Sequence, residues 1–132
     1  VLKAAENINN TKIIELKGYS RKEVNLLLNA CDIALLTSLN EGSPQFIKEA
    51  MACNCPIVST DVGDVKWVFG ETEGCFITSF DPDDVARKIN MALDYAQKVG
   101  RTKGRERSFE LGLDSDTIIK KIIDIYKKVL QS

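Results

Sequence analysis

Two carboxylates, Glu41 and Glu49, stand with seven residues between them at a loop and helix start. In any α/β protein such a junction can be a plain loop with an acid serving only the helix dipole, and it can also face one ligand from two sides. The run Ser38-Leu39-Asn40-Glu41-Gly42-Ser43-Pro44-Gln45 leads out of a short apolar segment and into a helical one. A helix start offers unpaired amides and a partial positive charge, which is where phosphate groups bind without a basic patch. Gly42 and Ser43 allow close approach to the backbone, and Pro44 has no N–H, so the donors are the amides of Ser43, Gln45 and Phe46 together with the Ser43 hydroxyl. Carboxylates accept hydrogen bonds from vicinal hydroxyls, so a sugar or ribose fits between these acids and an anion held at the helix start. Glu49 precedes Ala50-Met51-Ala52, where the helix should bury itself, and a buried carboxylate is costly unless paired, so Glu49 is expected to have a partner. The chain contains no histidine, which removes the Ser-His and Cys-His hydrolase constellations and leaves carboxylates, amides and lysines to do any chemistry.

The flanking sequence has to position these groups. Val1 to Asn10 reads as the end of a helix, abrupt enough to suggest that the chain continues upstream in a parent protein. Thr11 to Leu16 alternates as a strand, and Gly18-Tyr19-Ser20 turns into a helix whose Ser20 and Glu23 form a capping box, with Val24, Leu27 and Leu28 facing inward. Ile33 to Thr37 is a strand buried on both faces; the helix after it has Pro44 in its first turn and Phe46, Ile47, Ala50 and Met51 inward. Pro56 to Thr60 is a third strand, Val65 to Phe69 a short helix, and Cys75 to Thr78 a fourth strand. Asp81 caps a helix with Pro82 in its first turn and Val85, Ile89, Ala92, Leu93, Ala96 and Val99 at helical spacing, ended by Gly100. Arg101 to Gly112 is polar and weakly periodic. Asp114 or Ser115 opens a last amphipathic helix with Ile118, Ile122, Tyr126 and Val129 on one stripe, expected to be core. Strands alternating with helices predict an α/β fold, a Rossmann-like parallel sheet with helices on both faces and ligand sites at the carboxyl ends of the strands.

Composition narrows the classes. The 132 residues allow one domain, and 44% hydrophobic with 28% charged residues excludes disordered and collagen-like chains. Eighteen basic against nineteen acidic side chains leave a net charge of −1, which provides no field for nucleic acid. No apolar run approaches the roughly 20 residues of a membrane span. Cys31, Cys53, Cys55 and Cys75 lack zinc-site spacing and read as small core residues of a reducing compartment.

The stretch Glu41-Gly42-Ser43-Pro44-Gln45-Phe46-Ile47-Lys48-Glu49-Ala50-Met51-Ala52, followed by Pro56-Ile57-Val58-Ser59-Thr60-Asp61 and Val62-Gly63, resembles the donor-binding domain of the retaining family 4 (group 1) glycosyltransferases of the GT-B fold. The paired glutamates are that family's signature. Gly18-Tyr19-Ser20, Glu23 and Asn29-Ala30-Cys31-Asp32 agree with the run before it, and the resemblance covers roughly Ile13 to Leu130.

The resemblance implies that residues 1 to 132 are the later part of a nucleotide-sugar-binding domain, without its upstream strands or the N-terminal acceptor domain. It implies a catalytic Glu41 on the hydroxyls of the transferred sugar, Glu49 on the ribose, the segment of Gly42, Ser43, Gln45 and Phe46 on the diphosphate, and Gly18, Tyr19 and Ser20 near the base. The reaction implied moves a hexosyl group from a UDP- or GDP-sugar to a hydroxyl of a glycan or lipid acceptor with retention. No metal and no cofactor are implied, the nucleotide sugar being a substrate. The parent enzyme is expected in the cytoplasm, peripheral on the inner face of the membrane, while this stretch alone is expected to transfer no sugar and to present a sheet edge that recruits a second copy.

Several residues depart from the family's pattern. Asn54 stands where glycine is usual, though Asn tolerates a left-handed backbone. Asp64 and Trp67 stand where Gly and Glu are usual, and Pro44 replaces a common Gly. Asp81-Pro82-Asp83-Asp84 contains an Asp-x-Asp that helix capping explains fully, and Trp67 reads as core or interface packing. Arg101, Lys103, Arg105 and Arg107 read as a solvated helix face, with Glu106 and Glu110 offsetting their charge. A non-catalytic flavodoxin-like regulatory or interaction module is the alternative from another class; it accounts for the strand pattern but not for the Glu pair. A nucleotide-sugar epimerase of the same fold typically relies on histidine, which this chain lacks.

Overall fold

A computed structural model describes Ile8 and residues 11–131. Its elements run α1 (Arg21–Ala30), β1 (Ala34–Leu36), α2 (Gln45–Ala52), β2 (Ile57–Thr60), α3 (Val65–Phe69), β3 (Cys75–Thr78), α4 (Pro82–Lys98), α5 (Gly104–Glu110) and α6 (Ser115–Leu130). The three strands form a parallel sheet in the order β1-β2-β3, with Ala34 opposite Ile57 and Ile57 opposite Cys75.

Side-chain alternation along these strands divides the core in two. Ala34, Leu36, Ile57, Cys75 and Ile77 face a layer that includes Leu28 of α1, Ile47, Ala50 and Met51 of α2, and Val65, Val68 and Phe69 of α3. Leu35, Val58 and Phe76 face the other way, onto Val85, Ala86, Ile89 and Ala92 of α4 and the buried Ile8. The fold is therefore α/β and Rossmann-like, with helices on both faces as the sequence predicts. No helix among the described residues is long and apolar enough to cross a membrane.

Local signals set the element ends. Ser20 and Glu23 complete the capping box: Ser20 N–H donates to Glu23 Oε2 at 2.7 Å, and Ser20 Oγ accepts from Glu23 N–H at 3.4 Å. The Ser20 hydroxyl, donating to Glu23 Oε2 at 2.6 Å, and after it the Ser20 amide hold the Glu23 carboxyl below its usual pKa. Asp81 caps α4 by accepting from Asp83 N–H at 2.8 Å, with Pro82 at the first position. Asp114 caps α6 through Thr117 N–H at 2.9 Å. Asn54 has a left-handed φ of 55°, and its backbone and side-chain oxygens accept from the amides of Thr102 and Arg105 at 2.9 and 2.8 Å.

Other expectations require correction. The helix expected over Val1 to Asn10 lies outside the described residues except for Ile8. Thr11 to Leu16 is not a strand: Ile13, Ile14 and Leu16 line a cleft shared with Leu35 and Leu36 and form no ladder with β1. Pro44 is the residue before α2 rather than its first helical residue. The α6 stripe is not core. Ile118, Ile122, Tyr126 and Val129 are all exposed, Tyr126 at 66%, because α6 makes no extensive contact with another element among the described residues. Val99, past the end of α4, is exposed too. Trp67 is 53% exposed, so it is not a core residue either.

The basic run is more than a solvated face. Arg101 donates to the carbonyls of Leu28 and Asn29, binding the last turn of α1. Arg107 donates to the carbonyls of Trp67 and Val68, closing the carboxyl end of α3. Each guanidinium satisfies orphan carbonyls at a helix end, where a cation also complements the dipole.

Candidate functional site

The loops leaving the carboxyl ends of β1 and β2 meet backbone to backbone. Thr60 Oγ1, at the end of β2, donates to the Ser38 carbonyl at 2.8 Å, and Ser38 Oγ donates to Glu41 Oε1 at 2.9 Å. The Glu41 carboxylate is thus oriented from the strand end through one serine. Gly63, at φ 55°, packs against Glu41 and Gly42 so closely that any side chain would collide with both carbonyl groups. Beyond Gly42 a Cβ would meet nothing, so that face of the loop is open.

Helix α2 starts beside this contact without a side-chain cap, leaving the first-turn amides of Gln45, Phe46 and Ile47 without one. The Ser43 hydroxyl is already engaged, donating to Asp64 Oδ2 at 2.7 Å. Lys48 Nζ pairs with Asp64 Oδ2 at 3.2 Å and also reaches Ser43 Oγ. Asp64 therefore closes a three-residue polar cluster with Ser43 and Lys48 at the helix start. Lys48 compensates the negative charge that Asp64 places near the amides. Sequence reasoning gave Lys48 no role. The available signal was a cation within the first turns of a helix, where the macrodipole disfavours it unless an anion lies close.

Glu49 projects from α2 between two clefts. One, of about 700 Å³, has walls from Leu16, Val24, Leu36, Phe46 and Glu49. The other, of about 460 Å³, includes Arg21, Asn25, Lys48, Glu49 and Arg105. The carboxylate is half-buried, and among the described residues it makes no hydrogen bond or ion pair, contrary to the expectation of a partner. Its partial exposure to these clefts makes that tolerable: water satisfies what burial would leave unpaired.

Of the residues singled out in the sequence, Phe46 and Glu49 share the larger cleft, while Glu41, Gly42, Ser43 and Gln45 stand outside its walls around the helix start. Gly18 has a left-handed φ of 80° and Tyr19 is exposed. Ser20 is committed to capping α1 through its hydroxyl and amide. The Asp81 to Asp84 segment is structural. Ser79 N–H donates to Asp84 Oδ2 at 2.7 Å, and Arg87 and Thr78 complete its surroundings, so the Asp84 carboxyl is held well below the usual carboxylate range.

A site with an uncapped helix start, an oriented carboxylate and an unpaired one suits a ligand carrying both phosphate and hydroxyl groups. Comparison with known proteins shows the family. Residues 1–95 match the family model described as "Glycosyl transferases group 1". The chain is 28% identical to the MMP alpha-(1->4)-mannosyltransferase of Mycolicibacterium hassiacum, over 86% of this chain and 28% of that protein. It is also 28% identical to the N,N'-diacetylbacillosaminyl-diphospho-undecaprenol alpha-1,3-N-acetylgalactosaminyltransferase of Campylobacter jejuni, over 86% of this chain and 30% of that protein. It is 29% identical to the trehalose synthase of Thermococcus litoralis, over 98% of this chain and 31% of that protein. The chain spans about 30% of the length of these curated relatives. No solved structure gives a significant match.

Proposed function

Because this chain belongs to the group 1 glycosyl transferases, we propose that it forms the donor side of an enzyme that moves a sugar from a nucleoside diphosphate to an acceptor hydroxyl with retention of configuration. The observation that carries the reading is the pairing of an uncapped α2 start with the unpaired Glu49 carboxylate on the same helix. In this reading the nucleoside enters the cleft of Leu16, Val24, Phe46 and Glu49, with Glu49 accepting hydrogen bonds from the ribose hydroxyls. Gly18 and Tyr19, in the turn before α1, approach the base.

The diphosphate lies at the amides of Gln45 and Phe46. There the helix dipole and Lys48 stabilise the charge that develops as the sugar leaves. Preorganised donors of this kind act without reorganisation at the moment of bond breaking, so the proposal gives no metal a part. Glu41, held by Ser38, accepts hydroxyls of the transferred sugar and fixes its position toward the acceptor, a geometric advantage worth several kcal/mol of barrier. The acceptor is a hydroxyl of a glycan or lipid.

Titration of the isotopically labelled chain with UDP, GDP and ADP tests the assignment. The reading predicts amide shifts centred on Gln45, Phe46 and the turn holding Glu49, strongest for one base. Shifts confined to other segments, or none with any of the three, would overturn it.

A further inference from the structure

Two cysteines that the donor site does not use meet in the core. Cys31 ends α1, its amide donating to the Leu27 carbonyl at 2.8 Å; Cys55 leads into β2, its amide bonded to the Ala50 carbonyl at 3.0 Å. Their sulfurs lie 3.6 Å apart, joining segments 24 residues apart in the chain. Cys55 is fully buried, whereas Cys31 is half-buried and lines a cavity of about 140 Å³ with Leu16, Leu28 and Leu35, space enough for a small oxidant.

The surroundings of the two sulfurs differ in burial, while Arg101 lies near both. The Arg101 guanidinium, fixed on the carbonyls of Leu28 and Asn29, favours a thiolate at Cys31, and the neighbouring Asp32 opposes it more weakly. The hydrogen bond shared with Cys55, aided by Arg101 and opposed by burial, draws the Cys31 thiol down. The same bond and burial push the Cys55 thiol up, so it keeps its proton. Cys31, the more exposed sulfur and the one that lines the cavity, is suited to attack, and the enclosed Cys55 to resolve. Cys53 is separately held by the side-chain amides of Asn25 and Asn29, at 3.6 and 3.4 Å, and Cys75 faces the Met51 sulfur at 3.7 Å.

We propose that Cys31 and Cys55 form a reversible dithiol–disulfide site, oxidised by hydrogen peroxide or a comparably small hydroperoxide, which ties the end of α1 to the start of β2. The Cys31 thiol gives its proton to solvent and its thiolate attacks a peroxide oxygen: an S–O bond forms, the O–O bond breaks, and the hydroxide that leaves takes up that proton as the first water. The Cys55 sulfur then attacks the Cys31 sulfur, forming the S–S bond and breaking S–O, and its proton joins the departing hydroxide as water. Two thiols and one peroxide become one disulfide and two waters; both sulfurs are oxidised and both peroxide oxygens reduced. A small dithiol reverses the step by exchange.

The test treats the reduced chain with near-stoichiometric hydrogen peroxide, alkylates the remaining thiols and maps the cross-link by non-reducing peptide mass spectrometry. Loss of two of the four thiols, a Cys31–Cys55 cross-linked peptide pair, full recovery with dithiothreitol and a higher melting temperature for the oxidised chain are expected. The doubly substituted chain Cys53→Ser with Cys75→Ser should give the same cross-link, and Cys31→Ser should give none. Four unreacted thiols, a Cys31–Cys53 bridge, bridges only between molecules, or over-oxidation of Cys31 without a bridge would overturn the proposal.

Discussion

Gly63 meets Gly42 backbone to backbone: a Cβ on Gly63 would lie 2.6 Å from the Gly42 carbonyl carbon and 2.8 Å from the Glu41 carbonyl oxygen. This contact couples the loop after β2 to the loop that carries Glu41 and the α2 start. Gly63→Ala adds a side chain at a left-handed φ of 55° as well as the collision. Strain of this kind costs about 1–3 kcal/mol, and the Glu41 loop must shift to relieve it. The variant should stay folded with a lower urea midpoint and bind nucleoside diphosphate at least several-fold more weakly. Unchanged binding would separate the loop contact from the donor site.

Lys48 and Asp64 should act on donor binding with opposite signs. Lys48→Ala removes the cation nearest the α2 amides and should weaken nucleoside diphosphate binding by roughly tenfold, the scale of one charge-assisted hydrogen bond. Asp64→Asn removes a competing anion while keeping the hydrogen bond from Ser43, and should tighten binding by a few-fold. The pair is partly exposed, so neither change should cost much stability. Calorimetry on both variants checks the signs; two changes in the same direction would contradict the electrostatic account.

Asn54 works through its backbone conformation and its amide oxygen together. Asn54→Val puts a β-branched residue at positive φ and removes the acceptor for the Arg105 amide, for an expected loss of about 2–3 kcal/mol in urea unfolding. Asn54→Gly keeps the conformation and loses only the side-chain acceptor, so it should cost no more than about 1 kcal/mol. A loss as large for glycine as for valine would show that the conformation is not what Asn54 secures.

The acid limb of stability should trace to Asp84, Asp114 and Glu23. All three have lowered folded pKa values, from hydrogen bonds at Ser79, Thr117 and Ser20 respectively. A depressed carboxyl contributes stability that is present above its unfolded pKa and lost as pH falls through the folded one. Melting temperature should therefore be insensitive to these groups near neutrality and fall below about pH 4. Asp84→Asn should flatten that fall, and an unchanged acid limb in the variant would remove Asp84 from the account.

Features determined within a few residues were legible in the sequence. Ser20 with Glu23, Asp81 with Pro82, and the tolerance of Asn54 for a left-handed backbone are local chemistry and needed no tertiary knowledge. The two-faced burial of β1 showed as a short apolar run, and the Glu pair pointed to the α2 start. What escaped prediction depends on distant partners. Thr11 to Leu16 has strand-like alternation, yet a strand requires a ladder, and alternation says nothing about one. The α6 stripe shows which face is apolar but not what covers it. Ser43, Lys48 and Asp64 come together only because the loops after β1 and β2 converge. Arg101 and Arg107 looked like surface charge until the ends of α1 and α3 were placed beside them.

The central claim is that Glu49 receives the ribose hydroxyls of a nucleoside diphosphate. Calorimetric binding of the preferred nucleoside diphosphate and its 2′-deoxy counterpart, to the wild-type chain and to Glu49→Ala, tests it in one double cycle. The account predicts that the wild type prefers the ribonucleotide by about 10-fold or more, the scale of a hydrogen bond to a charged group, and that Glu49→Ala loses both affinity and that preference. Equal discrimination by the two proteins would contradict it.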